Sequence, residues 1–262
     1  MEIIEKTEYS KLAEIYDALM HDVNYELWAD FIDALILEHH PDPHSLLEMA
    51  CGTGTLSLLL DELGYYEVTG GDKSPEMIEK ARKKNEAMHC NVDFQVMDFL
   101  DINFTRKFDV VVSVFDSINY LLSPQKVLAF LKQTKKVLKP GSLLIFDFTT
   151  PKNSVQAVEY LHNEEGYTGD NHRFFRKSTY NAAEQMHQNE FRIEKLADDQ
   201  ETVIKRFREV HHQKIYTLRQ MLDIIDQTTY KVCAKYSGFD FDEADENSLR
   251  ITMVLQCPSI QL

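Results

Sequence analysis

"LLEMACGTGTLSLLL", residues 46–60, carries two glycines, Gly52 and Gly54, where one apolar run gives way to another. A turn of this kind has two readings: an ordinary strand-to-helix connection, or a turn that seats a nucleotide. In a dinucleotide fingerprint a third glycine would stand where Ser57 stands here. The residues that follow favour the nucleotide. "VTGGDKSPEM", residues 68–77, puts Asp72 twenty residues after Gly52 at the end of a second strand, from which a carboxylate accepts both hydroxyls of a ribose. "VDFQVMDF", residues 92–99, then puts Asp98 just past a third strand, in reach of an adenine amino group, with Met97 and Phe99 beside it.

From residue 45 to 149 short apolar runs ("SLLEMA", "YEVTGG", "FDVVVSV", "SLLIFDF") alternate with helical patterns. Parallel neighbours need crossover connections, so this alternation predicts a doubly wound, mostly parallel sheet with helices on both faces. The runs are almost continuously apolar, as strands covered on both sides should be. "SPEM" and "SPQK" start two of the helices, with serine as the cap and proline at the first helical position, and "LKPGS" reads as the stop of the second. Upstream, Leu12, Ile15, Tyr16 and Leu19 share one helical face over 7–20, and Trp28, Phe31, Ile32, Leu35 and Ile36 share another over 24–39. Downstream, "HRFFRKSTY", "MHQNEFRIEKL" and "TVIKRFREVHH" read as antiparallel strands. A short helix from Thr217 and two closing strands, "YKVCAKYSG" and "RITMVLQC", complete the chain. The expected division is a helical cap over 1–43, a core over 44–149 and 217–262, and an antiparallel insertion over 150–216.

In this order and at these intervals, "LLEMACGTG", "VTGGDKSPEMIEKARKK", "VDFQVMDF", "FDVVVSVFDSINYLL" and "VLKPGSLLIFDF" resemble the class I S-adenosylmethionine-dependent methyltransferases. The likeness covers residues 44 to 149 well; "LAEIYDALM" and the closing elements resemble, more weakly, small-molecule methyltransferases with an N-terminal cap. The resemblance implies an α/β fold with a seven-stranded sheet whose last strand is antiparallel. It implies S-adenosyl-L-methionine as cofactor, with Glu48, Ala50, Gly52 and Gly54 bordering its methionine part. Lys73 and Met77 would flank the adenine, Asp98 its amino group, and Phe115 the methionine portion. A sulfonium cofactor carries no phosphate, which accounts for Ser57 in place of a third glycine. Bland readings stay open: Met77 and Met97 as core residues, Glu48 as a structural carboxylate, and Asp109 as a support for the start of its strand.

Methyl transfer from a sulfonium is an in-line displacement, so positioning and exclusion of water dominate and no dedicated catalytic group is required. Candidates near the reacting atoms are Asp116, Asn119 and Tyr120 in "FDSINYL", and Tyr16, which either closes over the methyl group or belongs to its helix stripe. Tyr9 is a weaker candidate, and Trp28 reads as core. Glu209 and His211 share a strand face, so a carboxylate beside an imidazole stands available as base or anchor. The insertion, with Phe174, Phe175, Tyr180 and Phe191, covers the substrate side of the pocket or forms a homodimer surface.

The remaining expectations come from composition. A formal charge of −15 disfavours a nucleic-acid partner. Lys80, Arg82, Lys83 and Lys84 read as a solvated helix face. Cys51, Cys90, Cys233 and Cys257 show no metal-ligand spacing, and "MEIIEKTEYS" lacks a signal-peptide core. Hence a cytoplasmic protein with no metal, no membrane partner and a small-molecule methyl acceptor is expected. An NAD-dependent oxidoreductase and a non-catalytic cofactor-binding scaffold remain as alternatives.

Overall fold

The computed structural model describes residues 3–169 and 171–259; the outermost positions of the expected cap and core, 1–2 and 260–262, lie outside the described residues. Strand β1 (Ile3–Glu5) comes first, then a 3-10 turn (Leu12–Glu14), a one-turn helix α1 (Tyr16–Leu19) and the long helix α2 (Tyr25–His39). The core follows as β2 (Ser45–Met49), α3 (Thr55–Glu62), β3 (Glu67–Asp72), α4 (Pro75–Met88), β4 (Asp93–Val96), β5 (Phe108–Ser113), α5 (Pro124–Val137) and β6 (Leu138–Thr149). Then come α6 (Pro151–Leu161), β7 (Glu164–Thr168), β8 (His172–Asn181), β9 (Met186–Leu196) and β10 (Val203–Lys214), before α7 (Leu218–Ile225), β11 (Lys231–Ser237) and β12 (Arg250–Gln256) close the chain.

The main sheet has seven strands in the order β11-β12-β6-β5-β2-β3-β4. The five from β6 to β4 are parallel, and β12, last in the chain, runs antiparallel to both its neighbours. Successive residues of a strand point to opposite faces. Thus Val110 and Val112 pack with α2, α3 and α4 on one side, while Val111 packs with α5 and α7 on the other. The chain winds outward through β2, β3 and β4 and then returns to the other side of β2 through β5 and β6. That reversal opens a crevice at the carboxyl ends of β2 and β5, where ligands of such sheets bind. Serine and proline start α4 and α5 as expected: Ser74 Oγ accepts from the Met77 amide and Ser123 Oγ from the Lys126 amide.

The structure corrects three expectations of local structure. Residues 7–20 do not form one helix, because the Glu209 carboxylate accepts the backbone N–H groups of Tyr9, Lys11 and Leu12 and breaks the segment into turns. The supposed cap region also begins with a strand, β1, paired in parallel with β10. α5 ends at Val137, where "LKPGS" begins as expected, and the next strand takes up that segment from Leu138, absorbing Pro140 and Gly141 where its register with β5 shifts. The insertion region carries helix α6 in addition to its strands. Those strands and β1 form a second sheet, β1-β10-β9-β8-β7, whose inner face sets Phe174, Phe191, Ile193 and Phe207 against Leu12 and Ile15.

Candidate functional site

A cavity of about 470 Å³ opens at the carboxyl ends of β2, β3, β4 and β5, where the crevice was expected. Its floor is the glycine turn. Ala50, Gly52 and Gly54 all have positive φ (57°, 54° and 81°), a run of left-handed residues that turns the chain sharply from β2 into α3. The Gly52 amide donates to Asp72 Oδ2 at 2.9 Å and the Ser74 amide to Asp72 Oδ1 at 2.8 Å. One carboxylate therefore ties the turn after β2 to the turn after β3, and each oxygen keeps a lone pair for a hydroxyl of a ligand. Burial raises the Asp72 carboxyl, against the pull of the Ser74 and Gly52 amides.

Glu48, next to last in β2, is fully buried and accepts a hydrogen bond from Ser57 Oγ. Burial pushes its carboxyl up to about 7, the Ser57 bond offsetting part of the rise and the nearby Asp72 adding to it. The residue in the third-glycine position thus holds a carboxylate toward the cavity, a role that the spacing alone did not disclose. Gly54, assigned to the cavity border by the resemblance, is not at its wall. A β-carbon there would sit 2.5 Å from the Phe94 ring and 2.9 Å from Ala81 Cβ, so this glycine serves the packing of α3 on β4 and α4.

Lys73, Met77, Met97, Asp98, Phe99 and Phe115 line the same cavity. Lys73 Nζ pairs with Asp98 at 3.0 Å on the rim, and the Leu100 amide donates to Asp98 Oδ1 at 2.9 Å. Partial burial would raise the Asp98 carboxyl, but the Leu100 amide and Lys73 together hold it below the usual carboxylate range. Asp109 is remote from both cavities described here; it accepts from the Ser45 amide at 3.0 Å and pairs with Lys139, which makes it a tie between strands. Asn119 is likewise structural, donating to Lys214 O and accepting the Thr149 amide.

A second cavity of about 360 Å³ lies between the main-sheet edge and the second sheet, and Tyr9, Tyr16, Phe115 and Tyr120 line both spaces. Asp116 and His211 face this second cavity and not the first. The reason is local: Phe115 and Asp116 both adopt left-handed backbone (φ 59° and 60°), which turns the chain across the end of β5. That strained pair is held from outside. Asp147 Oδ1 accepts the Asp116 amide at 2.8 Å, and Arg250 lies between the Asp116 and Asp147 carboxylates with its guanidinium 5.3 Å from the Trp28 ring. Trp28 is core as expected, stacked 4.3 Å from Phe115, but it also borders the second cavity. Of the insertion aromatics, Phe191 reaches the cavity, while Phe175 lies under Arg192 at 4.1 Å.

Three atoms on this wall have no hydrogen-bond partner: Asp116 Oδ1, Ser154 Oγ and Asn189 Oδ1. Asp116 Oδ1 sits 2.8 Å from Arg250 Nη1 but off the line of its N–H bonds. Asp147, Ser154, Asn189 and Arg250 were not foreseen from sequence. A signal existed for two of them, since Asp147 interrupts the apolar run "LLIFDFT" and Arg250 opens "RITMVL".

The donor set fits S-adenosylmethionine. A ribose would meet Asp72, an adenine would meet Asp98 and the apolar side chains of Met77, Met97 and Phe99, and a methionine ammonium would meet Glu48. Comparison with known proteins agrees. Residues 46–141 match the family described as "Methyltransferase domain". The chain is 32% identical to demethylmenaquinone methyltransferase of Thermus thermophilus over 158 residues, 58% of this chain and 69% of that one. It is 31% identical over 140 residues, 52% of this chain and 56% of the relative, to the dTDP-3-amino-3,4,6-trideoxy-alpha-D-glucopyranose N,N-dimethyltransferase of Streptomyces venezuelae. It spans little more than half the length of several curated relatives that it matches. In fold it superposes on the crystal structure of an S-adenosylmethionine-dependent methyltransferase from Clostridium acetobutylicum with a TM-score of 0.78, at 24% identity, covering 96% of this chain and 99% of that one. Among the described residues no helix is long and apolar enough to cross a membrane. The cofactor is therefore the sulfonium S-adenosylmethionine and not a dinucleotide: this chain belongs to the S-adenosylmethionine-dependent methyltransferase family.

Proposed function

We propose that this protein methylates a nitrogen of a small polar molecule held in the second cavity. The observation that carries this reading is the wall of Tyr9, Tyr16, Phe115 and Tyr120 shared by the two cavities, with acceptor oxygens left over on the far side. Asp116 Oδ1 and Asn189 Oδ1 only accept, so they seek N–H or O–H donors, and an amine with further polar groups satisfies them. The N,N-dimethyltransferase likeness supports nitrogen as the atom.

On this reading Asp72 holds the ribose, Asp98 the adenine amino group and Glu48 the methionine ammonium. Ala50, Gly52, Lys73, Met77, Met97, Phe99 and Phe115 complete the cofactor's bed. The cofactor supplies an electrophilic methyl group; the chain aligns a nitrogen with it and keeps water out. Tyr16 closes the space beside the glycine turn, Asp116 anchors the amine, and Tyr120 and His211 attend its protons. An acceptor other than nucleic acid accords with the −15 charge, and a cytoplasmic location and pairing of two copies through the second sheet are part of the same reading.

The test is transfer of label from methyl-labelled S-adenosylmethionine to ethanolamine, putrescine, tyramine and D-glucosamine, with a phenol and a carboxylic acid as controls. Transfer to amines is expected. Transfer only to the phenol or the acid sinks the nitrogen assignment, and binding of S-adenosylhomocysteine without transfer to anything favours the non-catalytic module. S-adenosylhomocysteine, and not NAD, should raise the melting temperature.

A further inference from the structure

Four side chains run in file away from the shared wall. Tyr9 Oη lies 2.7 Å from Tyr120 Oη, Tyr120 Oη lies 3.0 Å from His211 Nδ1, and His211 Nε2 lies 3.2 Å from Glu209 Oε2. Glu209 and His211 are fully buried on the inner face of β10. The far end of the file sets its direction. Glu209 receives the Tyr9, Lys11 and Leu12 amides, a convergence of donors that a carboxylate meets as acceptor only. A neutral His211 ring then donates Nε2–H to Glu209, which leaves Nδ1 as an acceptor. Tyr120 donates to that nitrogen, and Tyr9 donates to Tyr120. What remains is a lone pair on Tyr9 Oη, beside both cavities.

From this geometry we infer that Tyr9, Tyr120, His211 and Glu209 form a one-way proton path that draws a proton from the acceptor's ammonium and stores it on His211. The inference rests on the amine reading above and names the group that makes the nitrogen nucleophilic. The balance is one proton. An ammonium N–H bond breaks toward Tyr9 Oη, the Tyr9 hydroxyl proton passes to Tyr120 Oη, and the Tyr120 proton passes to His211 Nδ1. The amine keeps its lone pair, and an imidazolium stands against the Glu209 carboxylate. The phenols carry the proton without holding the negative charge, because burial raises both Tyr9 and Tyr120 well above their ordinary value. Glu8 and Asp72 near Tyr9, Tyr16 beside Tyr9 and Tyr120, and Asp116, Arg250, Arg176 and His187 around the second cavity are charged or titratable groups that face the path. Glu209 has a second task, capping the turn at Leu12, so its removal is a poor test.

The protein with S-adenosylhomocysteine bound, labelled with ¹⁵N in its histidine rings, reports the direction by magnetic resonance. His211 should carry its proton on Nε2 with Nδ1 bare; a proton on Nδ1 overturns the path. Tyr120→Phe removes one hydroxyl from the middle. With the fastest of the four amines it should lower kcat about 10- to 100-fold at neutral pH, and the deficit should shrink as pH rises and solvent deprotonates the amine. KM for S-adenosylmethionine should stay within about two-fold, since on this reading the hydroxyl makes no contact that binds the cofactor. A packing role for Tyr120 would instead depress the rate equally at every pH, and that result, or a wild-type rate and profile, overturns the path while leaving the amine reading intact. Failure of all four amines to accept a methyl group sinks the amine reading, and the path with it.

Discussion

The Gly52 amide donates to Asp72 Oδ2 across 2.9 Å, so the carboxylate proposed to hold the ribose also pins the turn after β2. Binding and local architecture share one side chain. Asp72→Ala should weaken S-adenosylhomocysteine binding by about 30-fold or more, roughly 2 kcal/mol, the scale of hydrogen bonds to a charged group. Asp72→Asn, which keeps one acceptor oxygen, should lose less. Titration calorimetry reads both, and unchanged affinity in the alanine variant would remove the proposed ribose contact.

Glu48 gives the empty protein a pH signature. Its folded pKa, pushed up to about 7 by burial, lies above the ordinary value near 4.3, so the folded state holds the proton more tightly than the unfolded chain. Stability should therefore fall as pH rises from about 4.3 to about 7 and level off above, a loss on the order of 3 kcal/mol. Glu48→Gln should flatten that slope and raise the melting temperature at pH 8. The same slope in wild type and variant would show that the group is not buried as charged.

Two glycines should fail in different ways. Gly54→Ala places a β-carbon 2.5 Å from the Phe94 ring at φ 81°, so overpacking and left-handed strain together should cost about 2 to 4 kcal/mol in denaturant unfolding. At Gly71 the new carbon meets chiefly the flexible end of Met97, which can swing into the first cavity, with Met97 Cβ a further 3.3 Å neighbour. Gly71→Ala should leave stability within about 1 kcal/mol, since a flexible side chain can give way. It should still weaken S-adenosylhomocysteine binding. Equal stability losses in the two variants would contradict the distinction.

Arg250 pairs with two carboxylates, one of them fully buried. Arg250→Met should destabilise by about 3 to 5 kcal/mol near pH 8, because removing one partner leaves uncompensated buried charge. Asp147 is pushed up to about 6 by burial even with Arg250 present, and the neighbouring Asp116 adds to the rise. A carboxyl raised in the folded state loses stability as pH climbs from near 4 through its folded pKa, and without Arg250 that window extends higher. The variant's deficit should accordingly be smaller at pH 5 than at pH 8. A deficit independent of pH would mean that the carboxylates find other partners.

Much of the cofactor side was legible because its signals are local. Asp72 and Asp98 stand at the ends of strands that their own apolar runs announce, and Ser74 caps the next helix from its place beside Pro75. The acceptor side was not legible in the same way. His211 and Tyr120 meet across 91 positions of chain, and Glu209 reaches back about 200 positions to break a helical stripe into turns. Gly54 misled for the opposite reason: spacing marks a glycine as part of a turn, but only its neighbours show whether the missing side chain makes room for a ligand or for Phe94.

By itself the sequence determined the mostly parallel sheet with helices on both faces and the carboxylates at the strand ends, since these follow from periodicity, caps and short-range spacing. Only the tertiary structure decided that Ser57 holds Glu48, that Asp116 and His211 face a second cavity, and that Tyr9 stands between the two spaces. Those facts depend on side chains from distant segments reaching one another's donors and acceptors, and no local pattern records which buried oxygen will find which hydrogen.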